Sequence, residues 1–165
     1  MKRIQVVRKS ILSSFLILTM ILSQSCTSIR LISEYDEITD KTVTEVQEKV
    51  SSYFVKLENS VGTKESSYKN YEEQFEQIKI DLNTLEVRAK AIDKNRIVIK
   101  QVEELKNMIA NLEKLHKSFG ENGYQSYDLI KPNLNSFNIA FTAIIKLQLA
   151  LKRGEKIKEG KSKNN

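Results

Sequence analysis

From residue 33 onward the apolar residues of this chain recur at spacings of three and four, the repeat that keeps one face of an α-helix apolar. Val43, Val46, Val50, Phe54, Leu57 and Val61 form the first such stripe and predict a helix over 33–61, stopped by Gly62. Its first turn has competing starts: Ser33 or Asp36 upstream, or a capping box made by Thr42 and Glu45. Tyr68, Tyr71, Phe75, Ile78, Leu82, Leu85, Ala89 and Ile92 form the second stripe and predict a helix over 64–92, with the seam of a helix packed lengthwise on its neighbours. After a polar break at 93–95, Val98, Val102, Leu105, Ile109, Leu112, His116 and Phe119 lie on one line, which Gly120 and the pair Asn122-Gly123 end.

A linker with Tyr124 and Tyr127 leads to Pro132, a residue suited to the first turn of a helix and not to its middle. The fourth helix therefore starts near Pro132, after an additional turn around Asp128, and runs to about Arg153. Short connections force antiparallel neighbours, so the expected fold is all-α, an up-down antiparallel bundle of four helices, or three plus a docked fourth. The last helix differs from the others. Beyond its seam of Phe137, Phe141, Ile144 and Leu151 it carries Ile139, Ile145, Leu147 and Leu149, with Lys146 the only charge between 134 and 151. Such a helix is either buried all round or keeps one apolar side for a partner or a lipid-like ligand. Asn135, Asn138, Lys146 and Gln148 argue against its crossing a membrane.

The chain ahead of residue 33 follows another pattern: a basic start (Lys2, Arg3, Arg8, Lys9), an apolar run over 11–22, then Ser23-Gln24-Ser25 and Cys26. This is the three-part layout of a secretion signal, and a run of about 12 residues falls short of the roughly 20 a spanning helix needs. The single cysteine cannot form an internal disulfide. Its place at the end of the signal predicts a lipoprotein: signal peptide 1–25, diacylglycerol and an acyl chain such as palmitate on Cys26, a membrane-proximal linker 26–33, the bundle 34–153 and a disordered basic tail 154–165. Lipoprotein signals usually have Leu three residues before the cysteine; here Leu22 stands four before it and Ser23 takes that place. An ordinary or uncleaved signal, with Cys26 an incidental thiol, is the other reading.

Processing changes the charge. The signal holds four of the 27 basic residues and none of the 21 acidic ones, so the chain from Cys26 has 23 against 21, a net +2. Residues 152–165 account for six basic and two acidic of these, which leaves the body slightly acidic. A nucleic-acid partner is excluded for want of a folded basic face, while the tail suits anionic headgroups or cell-wall polymers.

No catalytic constellation emerges. Glu113 and His116 have the Glu-x-x-His spacing of di-iron bundles, but a complete site needs a second such pair and two more glutamates, and His116 is the only histidine. His116 is expected partly buried near a bundle end, its nitrogens bonded to backbone or water. Met108 and His116 stand on one helix and cannot ligate opposite faces of a haem. No Gly-x-Ser-x-Gly is present. Glu72, Glu73 and Glu76 read as a solvated surface, and Asp36, Glu37 and Asp40 as helix-start acids. Neither a metal, a non-covalent cofactor nor an enzyme is expected.

Several short stretches together resemble a family of small, uncharacterised bacterial lipoproteins: Tyr35-Asp36-Glu37 with Thr39-Asp40, Leu85-Glu86-Val87-Arg88, Leu112-Glu113-Lys114-Leu115-His116, and Ala140-Phe141 on to Leu151-Lys152-Arg153-Gly154. The resemblance implies an all-helical fold in the cell envelope, at the outer membrane in a Gram-negative host, and transfers no catalytic residue. The expected function is a non-enzymatic anchored module that contacts another envelope protein through Arg88, His116, Ile145 or Leu149. The alternative is a helical carrier or sensor for a small apolar ligand. Oligomeric state is not legible.

Overall fold

A computed structural model of the chain describes residues 33–154 and turns the apolar stripes into four α-helices: α1 Glu37–Ser60, α2 Glu72–Ala91, α3 Arg96–Ser118 and α4 Lys131–Lys152. Among the described residues there is no strand. Cross-helix pairs set direction and register. Asp36 meets Arg88 and Tyr53 meets Tyr71, so α2 runs back along α1. Glu113 meets Lys79, and Glu86 meets Lys106, so α3 is antiparallel to α2. Phe54 meets Phe137 and Tyr35 meets Lys152, so α4 is antiparallel to α1. Each helix packs along two neighbours, α1 on α2 and α4, α3 on α2 and α4. The fold is thus an up-down four-helix bundle in which α4 is a full member, which removes the three-plus-one alternative. The proposed signal 1–25, Cys26, the start of the linker and the tail from 155 lie outside the described residues.

One boundary left open by the sequence is settled, and another differs from the sequence expectation. Helix α1 starts at Glu37, because Asp36 is its cap and accepts from the backbone N–H of Thr39 at 2.9 Å; Thr42 and Glu45 lie inside the helix and form no capping box. Helix α2 starts at Glu72, eight residues later than expected. Residues 64–70 instead make two tight 3₁₀ turns, Lys64–Ser66 and Tyr68–Asn70. Their hydroxyl and amide side chains compete with helix formation by bonding nearby backbone: Ser66 Oγ donates to the Thr63 carbonyl at 2.8 Å, Asn70 Nδ2 to that of Glu65 at 3.1 Å. Tyr68 is therefore not on the α2 seam, although Tyr71 is buried as expected. At α4 the chain follows its sequence, with a 3₁₀ turn Tyr127–Leu129 and Pro132 in the first helical turn.

One contiguous apolar core runs the length of the bundle, from Val43 and Val98 to Tyr53, Phe75 and Tyr124. It divides the molecule into two ends. The basal end holds the start of α1, the α2–α3 turn and the end of α4. The apical end holds the α1–α2 and α3–α4 loops. Helix α4 is not buried all round: Leu147 is buried and Ile145 half-buried, but Leu149 is 42% and Ile139 72% exposed.

Gln148 occupies a seam position of α4 between Ile144 and Leu151, is 1% exposed, and neither end of its amide has a hydrogen-bond partner among the described residues. An unbonded buried amide costs about 1 to 3 kcal/mol. Gln148→Leu, nearly equal in size, is therefore expected to raise stability by about 1 kcal/mol or more in urea unfolding. A loss of stability would mean that the amide is bonded in solution.

Candidate functional site

The chemistry-bearing side chains gather at the apical end. His116, in the last turn of α3, is 0% exposed and ringed by Tyr53, Tyr68, Tyr71, Phe75 and Tyr124, with centroids 4.9 to 6.1 Å from its own. Its Nε2 lies 2.8 Å from the Ser66 carbonyl, which can only accept, so Nε2 carries the proton. In the neutral ring Nδ1 is then the acceptor, and it takes the Tyr53 hydroxyl at 3.0 Å. Burial lowers the His116 pKa, against a smaller opposite effect of the Ser66 bond. Burial also raises Tyr53 well above the usual phenol range and Tyr124 to about 12. Each of these shifts favours the neutral form of its group.

Around this ring the two apical loops dock on each other. Gly62 N–H donates to the Tyr124 carbonyl at 2.9 Å, and Ser66 Oγ reaches the same carbonyl at 3.2 Å. Gly123, at φ +62°, lies so close that a Cβ there would fall 2.3 Å from the Ser66 carbonyl carbon. His116 thus joins α1, α3 and the α1–α2 loop. In place of the partly buried histidine expected, the structure has a sealed one with one nitrogen on backbone and the other on a side chain, and His116 offers no surface to a partner in this state.

Glu113 does not share its ligand field with His116. Burial alone would raise its pKa, but bonds from Lys117, Tyr68 and Lys79, at 2.8, 2.7 and 3.0 Å, bring it down to about 2. Among the described residues no three His, Cys, Asp or Glu side chains converge as a metal site would require. Glu72, Glu73 and Glu76 are exposed on the outer face of α2.

Arg88 sits at the other, basal end. Its Nε and Nη2 both reach the Asp36 carboxylate at 2.6 Å, and that carboxylate also caps α1. The Arg88 bonds hold the Asp36 pKa well below the usual carboxylate range. Beside them Ser33 Oγ donates to Asn95 Oδ1 at 3.0 Å while Asn95 Nδ2 donates to the Ala89 carbonyl, so the incoming chain is fastened to the α2–α3 turn. Asp36→Ala is expected to cost about 1 kcal/mol for the lost cap plus whatever the bidentate bridge contributes. Asp36→Asn keeps the cap and isolates the bridge, and urea midpoints of the pair measure the two shares.

The candidate residues of the sequence therefore do not form one site. Arg88 and Leu149 are basal, Ile145 lies against the core, His116 is apical, and Cys26 lies outside the described residues. Sequence reasoning missed Tyr53, Ser66 and Tyr124. The outer face of α4 is the least charged of the bundle: Asn135, Asn138, Ile139, Thr142, Ala143, Lys146 and Leu149. By length and composition Tyr127–Lys152 could cross a bilayer, but Phe137, Phe141, Ile144 and Leu147 are buried against the other helices. Two surface depressions lie along α1, one lined by Glu45, Glu48, Lys49 and Gln74, the other by Val55, Lys56, Asn70 and Tyr71. They are open to solvent and lined mainly by charged and polar residues, unlike the apolar enclosure a small ligand favours.

No family model, curated protein or solved structure matches this chain.

Proposed function

We propose that the chain is an exported lipoprotein, anchored through lipid on Cys26, whose bundle serves as a non-enzymatic structural or protein-interaction module of the cell envelope. The observation that carries this reading is the order of residues 1–26: basic start, short apolar run, small polar residues, sole cysteine. Two features of the folded part agree with it. His116 and Glu113 are spent on internal bonds, and the surface least occupied by charge is the outer side of α4. Stable anchoring needs more than one acyl chain, or one plus a second attachment, which the diacylglycerol and acyl group of a lipoprotein cysteine supply.

Metabolic labelling with an alkyne fatty acid in the native host, followed by fractionation and in-cell crosslinking, tests the reading, with Cys26→Ala as control. Label and membrane association that vanish in the control are expected; an unlabelled protein recovered from the soluble fraction would sink the anchor. For the contact face, Leu149→Lys is expected to change stability by less than about 0.5 kcal/mol, as exposed positions do, while abolishing the crosslinked product. Ile145→Lys buries part of a charge and should destabilise the bundle. A Leu149→Lys protein that retains its crosslink moves the partner face off α4.

A further inference from the structure

We propose that the edge shared by α1 and α4 is a two-fold interface between two copies of this chain, held by charge pairs that one copy does not make within itself. This rests on the reading of the outer side of α4 as a contact face, and it names what occupies that face.

Helical spacing fixes which residues form the edge. On α1, Lys49 bonds Asp81 and Tyr53 meets Tyr71, so both look toward α2. A side chain two positions from Lys49 points about 200° round the helix from it. That puts Gln47 and Ser51, and with them Thr44, Val55 and Glu58, on the side turned from α2, beside α4. On α4, Lys152 lies over the Tyr35 ring, just ahead of α1. At steps of three and four before it, Leu149, Ile145, Thr142, Asn138, Asn135 and Lys131 continue the same edge.

The α1 stripe has an acid at each end and the α4 stripe a base. Glu58 and Lys131 are apical, Glu37 and Lys152 basal, and all four are exposed. Among the described residues Glu37, Glu58 and Lys131 have no ion-pair partner. Between these ends both stripes are uncharged apart from Asp40, which accepts from the Tyr35 hydroxyl at 2.8 Å. The exposed apolar residues of the edge, Val55 and Leu149, lie in this middle part.

The contacts of Phe54 with Phe137 and of Tyr35 with Lys152 set the register, so that Glu58 stands at the height of Lys131 and Glu37 at that of Lys152. A two-fold axis in the plane of the edge and parallel to the helices keeps every height and lays α1 of one copy on α4 of the other. Glu58 then faces Lys131 across the contact and Glu37 faces Lys152, each pair twice. An axis across the helices would lay α1 on α1 and α4 on α4, acids against acids and bases against bases. Charge complementarity therefore selects the first arrangement. The 22 residues of α4 make an edge about 33 Å long and, with α1 beside it, about 20 Å wide. Two copies would cover about 1,300 Å² between them, the lower end of the range of specific interfaces. Such a contact is reversible, and its exposed charges make it sensitive to salt.

Sedimentation equilibrium tests this on the chain from residue 26, with Cys26→Ser so that neither lipid nor a thiol joins two copies. A monomer–dimer equilibrium is expected in 20 mM salt. Its dissociation constant should rise at least tenfold in 0.5 M salt, with Lys131→Glu and with Glu58→Lys, and return to within threefold of the parent when both reversals are combined. Each reversal suits its helix end, an acid at the start of α4 and a base at the end of α1, and an unaltered melting curve verifies the fold. A monomer at every concentration from 1 to 500 μM, assembly beyond the dimer, a single reversal within twofold of the parent, or a combined variant as weak as the single ones would each overturn the proposal. The in-cell crosslinking described above reports separately on the face itself. A product whose mass is not that of two copies, and which Leu149→Lys abolishes, keeps the contact face and removes the second copy as its occupant.

Discussion

Gly123→Ala is expected to lower the unfolding free energy by about 3 kcal/mol or more, and with it the melting temperature by about 10 to 20 °C for a bundle of this size. Two costs combine. The backbone at φ +62°, ψ −161° belongs to a region that only glycine occupies freely. The added Cβ would also stand 2.3 Å from the Ser66 carbonyl carbon and Oγ and 2.4 Å from its oxygen. These atoms cannot give way cheaply, because the same carbonyl accepts from His116 and the same hydroxyl reaches Tyr124. The loops must separate and the histidine lose its partner. Gly120 is the internal control. It too has a positive φ, +60°, but nothing lies within 4 Å of its missing Cβ, so Gly120→Ala should cost only the left-handed conformation, about 1 to 2 kcal/mol. Thermal unfolding followed by circular dichroism compares them. If the two variants melt together, the apical loops do not dock as closely as described.

The bundle was legible because its seams obey one rule. Val43 to Leu57, Phe75 to Ala89 and Val98 to Leu112 recur at three and four, and all are buried. What the repeat does not encode is the apical end, where the chain leaves the helical period. Ser66, Ser67 and Asn70 fell inside the helix expected over 64–92, yet with Thr63 they make four hydroxyl or amide side chains in eight residues, and these take the backbone for themselves. Tyr53 was hidden beside Phe54: neighbours on a helix cannot both lie on a narrow seam, yet both are buried, because the apical core is wide enough to take a tyrosine whose hydroxyl finds His116. Ser66 and Tyr124 stand 50 and eight residues from His116 in sequence, and no spacing rule joins them. The pairing of Asp36 with Arg88 crosses 52 residues; helix register predicts such neighbours once the antiparallel fold is fixed, but not before. The facing of Gln148 was not legible either. It was read only as a polar break in the apolar run of the last helix, and it lies in the core.

His116 should make the stability of the bundle fall as pH drops from 6.5 to 5, and its removal should be among the most damaging single changes. Truncating a buried ring costs about 3 to 5 kcal/mol, and His116→Ala would in addition strand the Tyr53 hydroxyl and the Ser66 carbonyl. The sign of the pH effect follows from the direction of the shift. Burial among five aromatic rings depresses the folded pKa below that of the unfolded chain, so the unfolded state binds the proton first. The stability contributed by the neutral ring is whole above the unfolded value of about 6.5 and declines below it by at most about 1.4 kcal/mol per pH unit. The decline levels off once pH passes the folded pKa. Protonation also obliges Nδ1 to donate, and the Tyr53 hydroxyl that now donates to it would have to turn round. The carboxylates do not confuse this window. Asp36, Glu86 and Glu113 all have depressed pKa values, and their contributions are lost only as pH falls below the unfolded carboxylate range of about 4 to 4.5. His116 is the only histidine, so urea midpoints between pH 5 and 7.5 report on it without assignment. His116→Gln offers an amide that can donate to Ser66 and accept from Tyr53 but cannot titrate. It is expected to fold, with a stability lower than the parent at pH 7.5 and flat down to pH 5. A parent profile equally flat would mean that the ring has access to water and that the apical end is open in solution.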